Sequence, residues 1–521
     1  MIRRKWRIVA VGTFLAVLAV LNRLLLPSTS SHSTTQRSVT EPVATEEGPW
    51  IAPGELPGYT GWGRPDSTLA GFLSAPSFPT SALAGESFSF DVRCSGNDEC
   101  KSNTSWFYAR AYGPAVILGR VKATAPGRYS ISFLPVDAGV YTVELVVTFS
   151  RPPSIDQFPL ANSSEHSILY EGYLISGFPK QLQVVPNRRA RVDERKACQI
   201  DELLETSATT AYGKGRWIVT DSNRNRQQSS TNNVVSFIGY QRSNNSLGVT
   251  MEYSYGGCKL MRPPSAKFHP YYCMKEPIQI IMLGDSVMRL QYDLLKAYIG
   301  ENHPGIRLTY TKLLGGILRS QHYAESPEQL PKSRQSPRGP YSDPSIRREM
   351  EKLTNTTKAR NIVVFNSGLH DIHRLCGDEF IDDRPTYLAN PNEGCLAVYR
   401  RALDLLVSIL ASYPADMRIY QTTTAGWPKY GNYGVRWDPR YGQALPLDAP
   451  FVEAFNEIAV PVMIANDIKV VDGYWISAPR PDNREIDEKS SLGKKLSHPG
   501  YEVMETMLRV WSMVVLRYYC G

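Results

Sequence analysis

Residues 278–299 read IQIIMLGDSVMRLQYDLLKAYI. An apolar run of strand length, IQIIML (278–283), meets Gly284, and a helical pattern begins within three residues. VMRLQYDLLKAYI sets Val287, Leu290, Leu294 and Tyr298 on one helical face. Glycine lets the chain turn tightly where a side chain would clash. Ser286 then lies at the mouth of a sheet and at a helix N-terminus, where backbone N–H groups can stabilise a developing oxyanion. This is the logic of a nucleophile elbow, although G-D-S is not G-x-S-x-G. The competing reading is that Asp285 or Ser286 only caps the helix.

Downstream, the same texture repeats. IRLTYTKLL (306–314), NIVVFNS (361–367), MRIYQTT (417–423) and IKVVDGYWI (468–476) read as strands. CLAVYRRALDLLVSILASY and APFVEAFNEIAVPVMIAN read as amphipathic helices between them. Strands alternating with helices predict an α/β sheet of mostly parallel strands, with ligands at the strands' carboxyl ends. A serine nucleophile there needs a base. His498, in KKLSHPGYEVMETMLRVW, follows the last expected strand and precedes the last helix, from where a loop can reach the end of the first strand. Capping of a helix that starts near Pro499 is the plainer alternative. Asp472, Asp482 and Asp487 precede His498 and are the candidates to orient it. Asp487, nearest in sequence, is favoured, and a backbone carbonyl is the alternative. His370-Asp371-x-His373 has metal-like spacing but no evident third ligand, so no metal site is expected. Arg289, one turn after Ser286, faces either a ligand or solvent. In TTTAGWPKYGNYGVRW (422–437), Trp427, Tyr430, Tyr433 and Trp437 either stack on sugars or pack a loop.

Upstream, the stretch 86–186 holds short β-prone runs separated by turn residues, among them SFSFDVRC, WFYARAYG, RYSISFLP and VYTVELVVTF, and predicts a β-sandwich. Cys94 and Cys100 are close enough for a local bridge. Residues 27–85, rich in Ser, Thr, Pro and Gly, read as a stem. Residues 6–26 are almost continuously apolar, long enough to span a bilayer, and Arg3, Arg4, Lys5 and Arg7 precede them. The positive flank predicts a cytosolic N-terminus and a lumenal body. The length of the run and the lack of an A-x-A site favour a signal-anchor over a cleaved signal peptide. All eight cysteines follow this span, and sequons stand at Asn103, Asn162, Asn244 and Asn355, as befits the secretory pathway. The net charge of +8 comes with no basic patch interleaved with aromatics, so nucleic acid is not implied; the excess could help attract an acidic glycan.

Two resemblances sharpen these expectations. GRYSISFLPVDAGVYTVELVV is similar to filamin-type immunoglobulin-like repeats. The GDS block, FNSGLHD, TTTAGW, the late His-Pro and the CQIDELLETSATTAYGKGRWI opening resemble the PC-esterase superfamily, related to GDSL/SGNH hydrolases, over about 195–521. Similar proteins include the trichome-birefringence-like polysaccharide O-acetyltransferases and the neurexophilin-and-PC-esterase proteins. The resemblance implies an SGNH-like α/β/α sandwich (195–521) behind a filamin-like β-sandwich (86–186); composition places a stem (27–85) and a signal-anchor (1–26) before them. It implies Ser286 as nucleophile, His498 as base, and Asn366 and Gly368 in the oxyanion hole; the local reading of the residues adds Gly284 to that hole and Arg289 and Trp427 as candidate substrate contacts. Many relatives carry D-x-x-H, but Lys495 stands three residues before His498, which leaves the acid to another residue. The expected activity is O-acyl transfer to or from a glycan hydroxyl, in a Golgi or other secretory membrane of type II topology. No bound cofactor is expected; acetyl-CoA or an acetylated intermediate would donate the acyl group. The rival is a catalytically inactive, neurexophilin-like glycan- or protein-binding protein.

Overall fold

The computed structural model describes residues 69–102, 104–150, 155, 169–187, 196–219, 251–260, 277–300, 305–313, 360–372, 394–427, 435–436, 449–481, 483–486 and 494–520. The expected membrane span, residues 27–68 of the stem and all four sequons lie outside them. Among the described residues no helix is long and apolar enough to cross a membrane. The chain is a mixed α/β protein with several sheets.

The N-terminal half forms two facing sheets. One is four-stranded, in the order β1 (Leu73–Ser74), β3 (Phe88–Cys94), β7 (Arg128–Phe133), β6 (Arg120–Ala125), every pair antiparallel. The other contains β2 (Ser81–Leu83), β10 (Lys180–Val185), β8 (Gly139–Ser150), β4 (Ser105–Tyr112) and β5 (Ala115–Leu118), with β9 (Leu169–Leu174) also on β8. Alternation drives this pairing: Phe90, Val92, Tyr129, Ile131 and Phe133 are buried, and the residues between them face outward. β1 and β2 fall in the stretch expected to be stem, so the folded region begins earlier than residue 86.

The second sheet does not stop at the expected boundary near 195. β11 (Gly215–Val219), which carries the GRW motif, hydrogen-bonds to β5 through Trp217↔Val116, and β12 (Met251–Tyr255) and β13 (Cys258–Lys259) extend it. The opening of the C-terminal half is thus built into the sandwich, and Cys198–Cys258 bridges its start to its end. Cys94–Cys100 is also bridged, and Cys395 is disulfide-bonded.

The C-terminal half centres on five strands in the order β15 (Ile306–Lys312), β14 (Ile278–Gly284), β16 (Arg360–Phe365), β17 (Met417–Gln421), β19 (Lys469–Val471), with every neighbouring pair parallel. The two-residue β18 (Val435–Arg436) pairs with β9. β14 is buried along its whole length because both faces are covered. Ile280, Met282, Val364 and Ile419 share one cluster with α1 (Ser286–Ile299) and α5 (Tyr501–Cys520). Ile281, Leu283, Val363 and Phe365 share the other with α2 (Cys395–Ala411) and α3 (Ala449–Ala465). The buried side of α1 is Val287, Met288, Gln291 and Leu295, rotated from the expected stripe; Leu290, Leu294 and Tyr298 pack at its margin. The expected strand 468–476 is cut short at Val471, and Tyr474–Ser477 form the short helix α4, held by Asp472 Oδ1 accepting from Trp475 N.

Candidate active site

The helix cap, which the sequence left open between Asp285 and Ser286, falls to Asp285. Asp285 is the N-cap of α1: its Oδ1 accepts from Val287 N at 2.8 Å and Met288 N at 3.4 Å. Ser286 is the first residue of the helix, and its Oγ lies 2.7 Å from His498 Nε2. The two sit 212 residues apart in the chain and are brought to the carboxyl end of the parallel sheet. β20 (Arg484–Ile486) pairs with β21 (Lys494–Pro499), which carries His498 directly ahead of α5. Asn483 fixes that junction: its carbonyl accepts from Gly500 N at 2.7 Å and its Oδ1 from Val503 N at 3.3 Å.

The turn before Ser286 is locked from three sides. Asn366 and Asp285 bond reciprocally, Asp285 N to Asn366 Oδ1 at 3.3 Å and Asn366 Nδ2 to Asp285 Oδ1 at 3.2 Å. Tyr310 on β15 donates to the carbonyls of Gly284 and Asp285 at 3.0 and 3.1 Å. A Cβ on Gly284 would stand 1.9 Å from Asn366 Oδ1 and 2.6 Å from Met288 Cβ, so only glycine permits this approach of strand, helix and amide.

The FNSG loop is held as firmly. Three hydroxyls converge on the Ser367 carbonyl: Tyr420 at 2.9 Å, Tyr399 at 3.0 Å and Thr423 at 3.1 Å. Burial pushes Tyr420 up to about 12 and Tyr399 upward as well, so both remain protonated donors at neutral pH. The Ser367–Gly368 bond is trans, so the Gly368 N–H points away from those hydroxyls. Gly368 has φ 153°, and Thr423 Oγ1 would lie 1.8 Å from an added Cβ.

The remaining sequence candidates fall elsewhere. Arg289 is exposed and 3.8 Å from Asp293, one turn along α1. Trp427 is buried and donates from Nε1 to Ala478 O at 3.1 Å, which makes it a packing residue in this arrangement. Asp487, Asp482, His373, Tyr430, Tyr433 and Trp437 lie outside the described residues. Asp472 is buried beside Glu205 and the Tyr253 and Tyr255 phenols. Burial first, and then the Glu205 charge, push Asp472 up to about 8. Glu205 is raised too, chiefly by burial; Tyr255, Thr210 and Lys214 are its partners. Among the described residues no cluster of His, Cys, Asp and Glu could hold a metal ion. Reading the sequence missed Tyr310, Tyr399, Tyr420 and Thr423, whose places in strands and helices carried no mark of which atom they would meet.

No family model and no curated protein sequence matches the chain. Among solved structures it is similar to the Lin-41 filamin domain at 17% identity over 22% of this chain and 94% of that one, with a TM-score of 0.17. It is also similar to an acetylxylan esterase from Geobacillus stearothermophilus, at 13% identity over 48% of this chain and 97% of that one, with a TM-score of 0.24.

Proposed function

We propose that the chain is a lumenal serine O-acyltransferase or carbohydrate esterase of the PC-esterase kind, with Ser286 as nucleophile and His498 as general base. The observation that carries this reading is the 2.7 Å approach of Ser286 Oγ to His498 Nε2 at a strand–turn–helix junction. His498 takes the Ser286 proton as Oγ attacks an acyl carbonyl. Charge develops on the carbonyl oxygen near the N-terminus of α1, with the Gly368 N–H and the Asn366 amide as further donors. As the tetrahedral adduct collapses, the bond from the acyl carbon to the leaving group breaks and the imidazolium proton goes to that group, an ester oxygen or the sulfur of acetyl-CoA, leaving an acyl-serine. In the second half His498 deprotonates a sugar hydroxyl, giving transfer, or water, giving hydrolysis. A glycan hydroxyl fits the secretory-pathway signals at the N-terminus, and Asp487 remains the proposed orienting acid.

The test is direct. The full chain, purified in detergent, is incubated with p-nitrophenyl acetate and with acetyl-CoA, quenched in acid and digested. An acetyl mass on the peptide bearing Ser286, absent from Ser286→Ala, is the expected result. No adduct with either donor, and no labelling of Ser286 by a fluorophosphonate, would instead leave a protein that binds without reacting.

A further inference from the structure

The outward face of the four-stranded sheet carries an arrangement of charge that the active site does not use. Register and alternation place Arg93 on β3, Arg128 on β7, and Arg120 and Lys122 on the edge strand β6 on that one face, all exposed. Arg93 and Arg128 are direct cross-strand partners. Lys122 stands opposite Ser130 and Arg120 opposite Ser132, so hydroxyls lie between the cations. The facing acid is Asp91, 3.1 Å from Arg93 and half exposed, as surface pairs of little net strength are. Three adjacent strands span about 10 Å, so the four cations fall within the reach of one short polymer segment.

Edge protection accounts for Arg120 and Lys122, because charges on an outer strand discourage pairing with another chain. It does not account for Arg93 and Arg128, which lie on interior strands. Like charges directly opposite each other cost stability, and an anion bound between them removes that cost. The one apolar residue in the outward rows on these three strands is Ala125, opposite Arg128, and a single methyl is too small to anchor the face in a lipid surface. One rim is formed by Tyr212, whose hydroxyl donates to Ser132 Oγ at 3.2 Å and which lies near the Arg120 charge. Guanidinium and ammonium groups, interspersed hydroxyls and a flanking ring together suit sulfate or carboxylate groups on a sugar chain.

We propose that this face is a docking surface for a polyanionic polysaccharide, a chain bearing sulfate or carboxylate groups, separate from the serine site. It does not depend on the acyl-transfer reading. Fluorescein-labelled heparin is the probe, with neutral dextran as its uncharged counterpart, read by anisotropy on the full chain in detergent. Heparin should bind, dextran should not, and affinity should fall steeply between about 50 and 200 mM salt. Lys122→Ser with Arg128→Ser should weaken binding about tenfold and flatten the salt dependence, with unchanged thermal unfolding. Arg400→Ser with Lys196→Ser, exposed cations elsewhere, should bind as the unaltered chain does. Ser286→Ala should also bind normally, which separates this surface from catalysis. The idea is overturned by absent heparin binding, by an undiminished Lys122/Arg128 variant, or by an equal loss in the Arg400/Lys196 control. Tighter, equally Lys122-dependent binding to phosphatidylserine vesicles overturns it too, in favour of a membrane.

Discussion

In the proposed reaction Ser286 is the nucleophile and His498, 2.7 Å from its Oγ, the base, so removing either should stop the same proton transfer. Ser286→Ala and His498→Ala are therefore expected to lower acyl transfer by about 10⁴-fold or more each, with the double variant little worse, because members of a catalytic unit fail non-additively. Steady-state rates of the three variants check this; full activity in His498→Ala sinks the pairing. The Ser367 carbonyl makes a second expectation. Tyr420→Phe with Thr423→Val removes two of its three donors and frees the peptide that aims the Gly368 N–H. The expected loss is in kcat, about 10- to 100-fold, with KM little changed, as for a weakened oxyanion donor. Equal loss in both parameters would mean general damage instead. Asp472 supplies a pH dependence. Its pKa is raised in the folded state, so its contribution is full below the unfolded value near 4 and is lost as pH rises through about 8. Urea unfolding should show stability falling between pH 5 and pH 8.5, by up to about 1.4 kcal/mol per unit, and Asp472→Asn should flatten that slope.

The elements that present these groups depend on close approach. Gly284→Ala would drive a methyl into Asn366 Oδ1 and Met288, backing the turn away from its anchor. A loss of about 1–3 kcal/mol and of most activity is expected, measured by denaturant melts beside rates. β11 is the other sensitive element. Trp217 is buried, donates to Ile476 O at 2.9 Å, and lies 4.5 Å beneath the Arg480 guanidinium, which in turn holds Glu502 at the start of α5. Arg216 meanwhile pairs with Asp137 of the sandwich. Trp217→Ala should cost about 3–5 kcal/mol and loosen the α5 junction that carries His498. Hydrogen exchange at residues 498–504 would register it; protection equal to the unaltered chain would show that the two are not linked.

Across the molecule, the apolar pattern and the positive flank at the N-terminus predict that the folded part is lumenal. Protease treatment of sealed microsomes should leave it intact, and digestion without detergent would refute that topology. The alternation of apolar runs and amphipathic helices made the parallel strands legible from Ile278 onward, because burial on both faces needs continuous apolar sequence. Gly284-Asp285-Ser286 was legible for the same local reason: a strand, a residue without a side chain and a helix cap must be adjacent in the chain. Local signals also gave most sandwich strands, but not β1, β2 or β9, and they placed a boundary near 195 that β11 to β13 cross. Of the two readings left open for Trp427, the packing one matches its buried indole and its bond to Ala478 O. The α1 stripe was misjudged by a fraction of a turn because Gln291 is buried as a partner of Trp511, a contact 220 residues away. Periodicity and turn chemistry act over a few residues and are written in the chain. The meeting of Ser286 with His498, the three hydroxyls on Ser367 and the four cations on one sheet face arise from register and long-range packing, whose free energy depends on groups far apart in sequence.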